Sequence, residues 1–127
     1  MSDYISILRN SDLTLNPAGM NVECYRIYEA MAVGSMPVIE DTTVTATCGT
    51  ADTDGHRQVL RLLKQHEAPV MYVSDWRQLL AILHRERHMS RADIVARRIN
   101  VVRWYRKFQK KMRDMFVRVI HQKFFGS

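Results

Sequence analysis

The chain has 127 residues, 46% of them hydrophobic and 25% charged, with a net charge of +6. This length corresponds to one domain, and the apolar content excludes a disordered chain. The charge is uneven: residues 1–75 carry five Lys/Arg against ten Asp/Glu, a net −5, while residues 76–127 carry fourteen against three, a net +11. A basic C-terminal segment on an acidic body requires an explanation.

The sequence contains no sign of a membrane span, a leader or a metal site. Its longest apolar stretch, residues 30–39, contains a glycine and a proline, whereas a span needs about twenty apolar residues. The N-terminus lacks the basic flank and apolar run of a signal peptide. The two cysteines, Cys24 and Cys48, are too few for a disulfide scaffold and do not have metal-ligand spacing. The five histidines are scattered, so we expect no metal and no histidine base.

Apolar periodicity and turn residues divide the chain into strands that alternate with helices. In chain order, the pattern predicts a helix end at 4–8, a strand at 13–15, a helix at 22–33, a strand at 36–39, a loop at 41–55, a helix at 56–65, a strand at 70–73, a helix at 76–87 and a helix from 90 to about 121.

The helix ends carry recognisable signals. Asn21 is a favourable N-cap for the helix at 22–33, and Gly34 is a favourable stop. Ser90, followed three residues later by Asp93, predicts the start of the last helix. The helix at 76–87 has an apolar stripe at steps of three and four, which we expect to face the core: Trp76, Leu79, Leu80 and Leu83.

Short strands that are apolar on both faces and alternate with helices predict an α/β fold with a parallel sheet covered by helices. Three strands make a thin sheet, since doubly wound domains normally have five or six. The sequence therefore predicts the last part of a larger Rossmann-like sheet. We expect residues 1–88 to form a partial Rossmann-like unit, which the resemblance described below makes a nucleotide-sugar-binding unit, and residues 89–127 to form a C-terminal helix that packs across it.

Ligands of such sheets bind at the carboxyl ends of the strands, against helix N-termini, which directs attention to residues 16–21. Free backbone N–H groups at the start of the helix at 22–33 favour an anion. Glu23, Arg26 and Glu29 follow at steps of three. Arg26 could pair with a phosphate, and Glu29 could accept hydrogen bonds from a ribose diol. Alternatively, the three form a solvated ion-pair ladder of little energetic value.

The run Glu-Ala-Met-Ala-Val-Gly-Ser-Met-Pro-Val-Ile at residues 29–39 resembles the donor-site signature of GT-B glycosyltransferases. In those enzymes a Glu-Ala pair is followed by a Gly and then by Pro-Val-Ile. The resemblance implies that Glu29 holds the ribose of a nucleotide sugar. Many retaining members carry a second glutamate eight residues earlier. That position is Asn21 here, so the two-glutamate pattern is absent.

A closer resemblance covers nearly the whole chain. The chain resembles the C-terminal part of the ribitol 5-phosphate xylosyltransferase family in the following residues, taken in order: Asp12-Leu13-Thr14-Leu15, Pro17, Gly19, Asn21, Glu23 through Ala30, Gly34-Ser35, Pro37-Val38, Glu40-Asp41, Cys48-Gly49, Ala68-Pro69, Asp75-Trp76, Trp104-Tyr105 and Phe124-Phe125. The stretch from Glu23 to Ala30 is the specific part. The later matches carry weight only through their order.

The resemblance implies an enzyme that transfers xylose from UDP-xylose to ribitol phosphate on the O-mannosyl glycan of dystroglycan. It implies a place on the lumenal side of the Golgi membrane, anchored by an N-terminal helix. This chain would be the donor half, inactive alone, and an N-terminal half would bind the acceptor and supply the catalytic base. No metal would be required. The runner-up is another GT-B or exostosin-like transferase of a different UDP-sugar.

Within that resemblance, each candidate residue has an expected role. Gly19 would let the backbone approach the pyrophosphate. Asn21 and the amides that follow it would stabilise charge on the leaving UDP together with Arg26. Glu29 would orient the ribose, and Glu23 would complete the nucleotide-sugar site. In an oxidising lumen, Cys24 and Cys48 could pair with each other or with a cysteine of the other half.

The C-terminal helix carries an apolar stripe at steps of four and three, formed by Val101, Tyr105, Phe108, Met112, Met115 and Val119 and widened by Trp104, Phe116 and Ile120. The resemblance implies that this stripe packs on the core and continues onto the N-terminal half. The other class of function is binding of nucleic acid or an anionic surface by the fourteen cations. The aromatic residues lie in the stripe and not among the cations, so we expect no nucleic-acid partner.

Overall fold

The computed structural model describes residues 2–19, 21–41 and 60–126. In chain order, its elements are α1 (Ser2–Asn10), β1 (Leu13–Asn16), α2 (Tyr25–Ala32), β2 (Met36–Glu40), α3 (Arg61–Gln65), β3 (Met71–Val73), a 3-10 turn (Trp76–Gln78), α4 (Leu79–His88) and α5 (Arg91–Phe124). The expected α/β class, the alternation of strands with helices and the long final helix are confirmed. The division into residues 1–88 and 89–127 stays a prediction.

The three strands form one parallel sheet in the order β1-β2-β3. Leu13 pairs with Met36 and Val38 pairs with Met71, so β2 is the central strand. Because all three strands run in the same direction, they finish along one side of the sheet. We call this side, with the residues that follow each strand, the carboxyl edge.

The core lies on both faces of β2, as expected for a buried parallel strand. One face packs against α2, α3 and α5 through a cluster of Ile27, Met31, Met36, Ile39, Leu60, Leu63 and Val101. The other face packs against α4 through Val38, Val73 and Ile82. Of the predicted helix at 56–65, residues 56–59 lie outside the described residues, as does the predicted loop beyond Asp41. Leu60 and Leu63 are buried as expected.

The start of α2 differs from the prediction. The helix begins at Tyr25 with Cys24 as its N-cap, so Asn21 is not the cap. The buried Asn16 at the end of β1 explains the delay. Its Nδ2 donates to the Val22 carbonyl (3.2 Å) and its Oδ1 accepts from the Cys24 Sγ (2.9 Å). These contacts from β1 hold residues 22–24 outside the helix.

The end of α2 is where the sequence places it, at Gly34. Gly34 has φ +87°, a conformation that glycine adopts without strain. A Cβ there would also lie 3.3 Å from the Arg98 carbonyl oxygen of α5. The Arg98 guanidinium donates to the carbonyls of Val33 and Ser11 at 3.3 and 2.6 Å. Gly34 therefore permits the close approach of α2 and α5 that Arg98 then fixes.

The predicted inward stripe of the helix at 76–87 is only partly correct. Asp75 caps a 3-10 turn before α4, and Trp76 and Leu79 pack on the core. Leu80 is 76% exposed and Leu83 is 45% exposed, while the buried residue of α4 is Ile82. The 3-10 turn rotates the helix relative to an ideal 3.6-residue pattern, which moves Leu80 and Leu83 away from the sheet.

The last helix begins at the predicted cap, where the Ser90 hydroxyl accepts the Asp93 N–H at 3.1 Å. It runs to Phe124, three residues beyond the expected end. Its apolar stripe is buried only at first: Val101 and Phe108 lie in the core, whereas Met115, Phe116 and Val119 are exposed. The stripe thus continues past the part of the fold that can cover it.

Candidate functional site

The carboxyl edge carries polar residues at or just after the end of each strand. Asn16 is the last residue of β1, Glu40 is the last residue of β2 and is followed by Asp41, and Asp75 lies two residues after β3. Parallel strands bring these residues to one side of the sheet because they all finish there. The chain order alone therefore assembles a polar surface next to the N-terminus of α2.

Glu40 ties together the segments that follow β1 and β3. Its Oε2 accepts the backbone N–H of Ala18 (2.7 Å) and the indole Nε1–H of Trp76 (2.9 Å). The bond from Ala18, followed by that from Trp76, lowers the pKa of the Glu40 carboxyl below its ordinary value. The ionised carboxylate fixes the loop that leads to Gly19, which is exposed and has room around its α-carbon.

Asp41 is buried at the end of β2. Its Oδ2 lies 2.5 Å from the Nζ of Lys64, and its backbone N–H donates to the Val73 carbonyl at 2.8 Å. The same ammonium lies 5.4 Å from the centre of the Tyr72 ring, within cation–π range. Burial, followed by the charge of Asp41, raises the pKa of the Tyr72 hydroxyl. The central strand thus finishes in an ion pair that Tyr72 shields on one side.

Glu23 lies before α2, so the predicted helical stripe of Glu23, Arg26 and Glu29 is wrong. The Glu23 carboxylate accepts the hydroxyl of Tyr28 on α2. Burial, followed by that hydrogen bond, raises the pKa of the Tyr28 hydroxyl, which stays protonated at neutral pH. Because Glu23 is not helical, it lies with Tyr28 and Tyr72 and not in line with Arg26.

Arg26 and Glu29 do share a side of α2, the side next to α1. The Tyr4 hydroxyl donates to the Glu29 Oε2 at 2.6 Å. That bond raises the pKa of the Tyr4 hydroxyl, and the nearby Arg26 guanidinium partly opposes the shift. The predicted ladder is therefore replaced by a cluster of Tyr4, Arg26 and Glu29 on two helices.

The structure divides the five predicted site residues between three places. Gly19 and the exposed Asn21 lie in the loop after β1, Glu23 lies with Tyr28, and Arg26 and Glu29 lie with Tyr4. Sequence reasoning missed the residues that organise this region, which are Asn16, Glu40, Asp41, Trp76 and Tyr4. All but Tyr4 are polar or aromatic residues at or just after strand ends, a position that could have identified them.

The Cys24 thiol is free and donates to Asn16. Cys48 lies outside the described residues, so its pairing stays a prediction. Within residues 2–19, 21–41 and 60–126, no three His, Cys, Asp or Glu side chains are grouped to hold a metal ion. In the same ranges, no helix combines the length and hydropathy that crossing a membrane requires.

Comparison with known proteins identifies the family of the chain. The family model of the RXYLT1 C-terminal domain matches residues 1–125. The chain belongs to this family. It is 46% identical over 122 residues to ribitol-5-phosphate xylosyltransferase 1 of Danio rerio, 39% over 125 residues to that of Mus musculus and 36% over 124 residues to that of Homo sapiens.

These alignments cover 96–98% of the chain but only 27–28% of each relative. The chain therefore spans little more than a quarter of the length of the relatives it matches. No solved structure matches it. The resemblance to the C-terminal part of this family is confirmed. The chain therefore corresponds to the C-terminal domain of these relatives.

Proposed function

We propose that this chain is the donor-binding part of a ribitol-5-phosphate xylosyltransferase and that it binds UDP-xylose at the carboxyl edge, beside the N-terminus of α2. The observation that carries the proposal is the match to the RXYLT1 C-terminal domain across residues 1–125, in a family whose relatives are named for xylosyl transfer to ribitol 5-phosphate. The other parts of the proposal come from the chemistry of the site.

The start of α2 suits a diphosphate. The Cys24 side chain does not cap the helix, because its thiol is turned to Asn16. The first N–H groups of α2, at Tyr25 and Arg26, are therefore available to an anion, and the helix dipole adds to the attraction. Of the carboxylates nearby, Asp41 is offset by an ammonium, whereas Glu40 and Glu23 keep negative charges that Arg26 would have to offset. Asp41 is paired with Lys64, and Glu40 is held by two donors.

Glu29 is the residue proposed to hold the ribose. A carboxylate accepts two hydroxyl hydrogen bonds, which matches a ribose diol. Tyr4 fixes one of its oxygens, and Arg26 lies close enough to pair with a phosphate. Gly19 and Asn21 are exposed in the loop after β1 and would approach the pyrophosphate from that side. Glu23 would contribute by holding the Tyr28 hydroxyl in place.

The wider setting is also proposed. The acceptor would be a ribitol-phosphate glycan on dystroglycan, and the enzyme would work on the lumenal side of the Golgi membrane without a metal. An N-terminal half would supply the catalytic base. That half would cover the exposed apolar residues of α5 after Met112, which the described part of this chain leaves open. The arrangement would be that of a GT-B enzyme.

A chimera tests the proposal. The chain would replace the matching C-terminal region of the Danio rerio relative, and calorimetry would measure its affinity for UDP-xylose. We expect wild-type binding, and we expect Arg26→Ala and Glu29→Gln each to raise the Kd by about tenfold or more, since charge-assisted hydrogen bonds contribute about 1.5–3 kcal/mol.

Matched controls are available on exposed helix surfaces. Arg85→Ala on α4 and Asp114→Asn on α5 make the same charge changes away from α2 and should leave the Kd unchanged. Circular dichroism would confirm that every variant is folded. Unchanged UDP-xylose affinity in both Arg26→Ala and Glu29→Gln would contradict the donor assignment.

A further inference from the structure

Two cavities that share Arg106 lie along the seam between α2 and α5. One, of about 350 Å³, runs along α2 from its first residue to its last and is lined by Tyr25, Tyr28, Glu29, Ala32, Tyr105, Arg106 and Gln109. The other, of about 460 Å³, lies at the C-terminal end and is lined by Val33, Gly34, Arg98, Ile99, Val102, Arg103, Arg106 and Lys107. Both fall in the size range of ligand pockets. Together they form what we call the α2–α5 groove.

The first end of the groove is aromatic and held rigidly. The Tyr28 ring lies 6.3 Å from the Tyr105 ring and 6.4 Å from the Phe108 ring, and its hydroxyl is bonded to Glu23. Tyr25 is 85% exposed at the mouth. Aromatic rings offer a flat apolar face with polar groups at their edges. The carbon chain of a sugar or polyol can lie on such a face.

Polar groups at the same end suit hydroxyl groups. Glu29 presents a carboxylate, which accepts hydrogen bonds, and Gln109 presents an amide, which both donates and accepts. A polyol needs this combination because each hydroxyl is a donor and an acceptor. A purely apolar peptide would leave Glu29 without compensation for the water it loses.

The second end of the groove is cationic. The Arg98 guanidinium is occupied by Ser11, Val33 and the carboxylate of Asp12, and it offsets the negative end of the α2 dipole. Arg103, Arg106 and Lys107 are exposed on α5 around the same cavity. Three cations around one opening favour a doubly charged oxyanion, and arginine binds phosphate with two parallel N–H bonds.

The groove follows the length of α2. From Tyr25 to Gly34 the chain advances nine residues, about 13 Å at the rise of an α-helix. Arg106 lines both cavities, so a ligand only a few carbons long can reach from the tyrosines to a cation. A ligand that fits has a hydroxyl-rich carbon chain and a terminal phosphate.

We infer that the α2–α5 groove is a binding site for a phosphorylated polyol that adjoins the nucleotide site at the start of α2, shares Tyr25 and Glu29 with it and adds Gln109 and the cations of α5. The inference rests on the proposed function only in its choice of probe, ribitol 5-phosphate, which is the phosphorylated polyol in the relatives' name. It implies that the acceptor is held partly by this chain and not by an N-terminal half alone.

Titration of the ¹⁵N-labelled 127-residue chain with ribitol 5-phosphate, followed by NMR, tests the site. We expect shifts at Tyr25, Arg106 and Gln109, and a Kd at least fivefold lower for ribitol 5-phosphate than for inorganic phosphate or ribitol alone. Arg106→Gln should raise the Kd for ribitol 5-phosphate at least fivefold. Tyr25→Ala should also raise the Kd for ribitol 5-phosphate but should leave the Kd for inorganic phosphate unchanged. Arg87→Gln, an equal charge change on α4, should leave binding unchanged.

Three results would overturn the inference: ribitol 5-phosphate binding no tighter than inorganic phosphate, shifts confined to cations outside the groove, or equal losses in Arg106→Gln and Arg87→Gln. The result is separable from the donor assignment because Arg106→Gln in the chimera should keep its affinity for UDP-xylose. A wild-type chimera that binds UDP-xylose but not ribitol 5-phosphate would contradict the groove alone. A wild-type chimera that binds ribitol 5-phosphate but not UDP-xylose would contradict the donor assignment alone.

Discussion

The carboxyl edge of the sheet and the distal part of α5, residues 113–124, differ in how far the chain provides partners for its own side chains. At the edge, Glu40 accepts two hydrogen bonds and Asp41 is paired with Lys64. In the distal part of α5, Phe116 is 66% exposed and Phe124 is 77% exposed. The edge is complete within this chain, whereas the distal helix presents apolar surface to solvent.

The difference follows from the size of the fold. A 34-residue helix is about 51 Å long, while a chain of this length packs to a radius of gyration of roughly 14 Å. The apolar stripe keeps one spacing throughout, yet it is buried only while the helix crosses the core. Exposed apolar surface of this kind marks an interaction site. The described part of the chain therefore leaves the apolar side of the distal helix uncovered, whereas it supplies partners for Glu40 and Asp41 at the carboxyl edge.

The prediction with the largest expected effect compares a buried and an exposed phenylalanine of α5. Phe108→Ala should lower the free energy of unfolding by about 3–5 kcal/mol, because the Phe108 ring lies 4.8 Å from Trp104 and 5.7 Å from His66. Phe116→Ala removes the same atoms eight residues, a little over two turns, later and should change the free energy of unfolding by no more than about 0.5 kcal/mol. Urea unfolding measures both. Similar losses would show that the distal stripe is covered after all.

Features that depend only on residues close together in the chain were predictable from the sequence. The three strands, the stop at Gly34 and the cap at Ser90 were predictable, because strand apolarity, a positive-φ glycine and a capping hydroxyl each act within a few residues. The start of α2 was not, because Asn16 holds residues 22–24 out of the helix from another element. The spacing of apolar residues does not reveal a side-chain contact made by another element.

The candidate site was predicted less well for the same reason. Gly19, Asn21 and Glu29 were chosen from a loop and a helix that lie near the strand ends. Glu23 was assigned to a helix that begins two residues later, and the partner of Glu29, Tyr4, lies 25 residues away in the chain. Leu80 was expected in the core because a periodic pattern does not reveal a 3-10 turn.

The second prediction tests the completeness of the carboxyl edge. Glu40→Ala removes the acceptor shared by Ala18 and Trp76, so the loop after β1 and the 3-10 turn should loosen together. We expect faster hydrogen exchange at the Ala18 amide and a red shift in tryptophan fluorescence, with lower stability. Asp114→Ala, which removes an acidic residue from the exposed surface of α5, should change none of these three properties. Normal exchange at Ala18 in Glu40→Ala would show that the edge is held by other contacts.

The smallest expected effect concerns Asp75, the last acid of the edge, and it depends on pH. Arg77 donates through its side chain (2.6 and 3.0 Å) and its backbone N–H (2.8 Å) and lowers the pKa of the Asp75 carboxyl to about 2. A lowered folded-state pKa stabilises the fold above the unfolded value, near 3.8, and that stabilisation disappears as the pH falls toward 2. Asp75→Asn should therefore lower the melting temperature slightly at pH 7 and not at all near pH 2. Asp114→Asn on the distal helix should show no such dependence. A constant difference between wild type and Asp75→Asn across this range would mean that capping geometry, and not charge, is what Asp75 contributes to the edge.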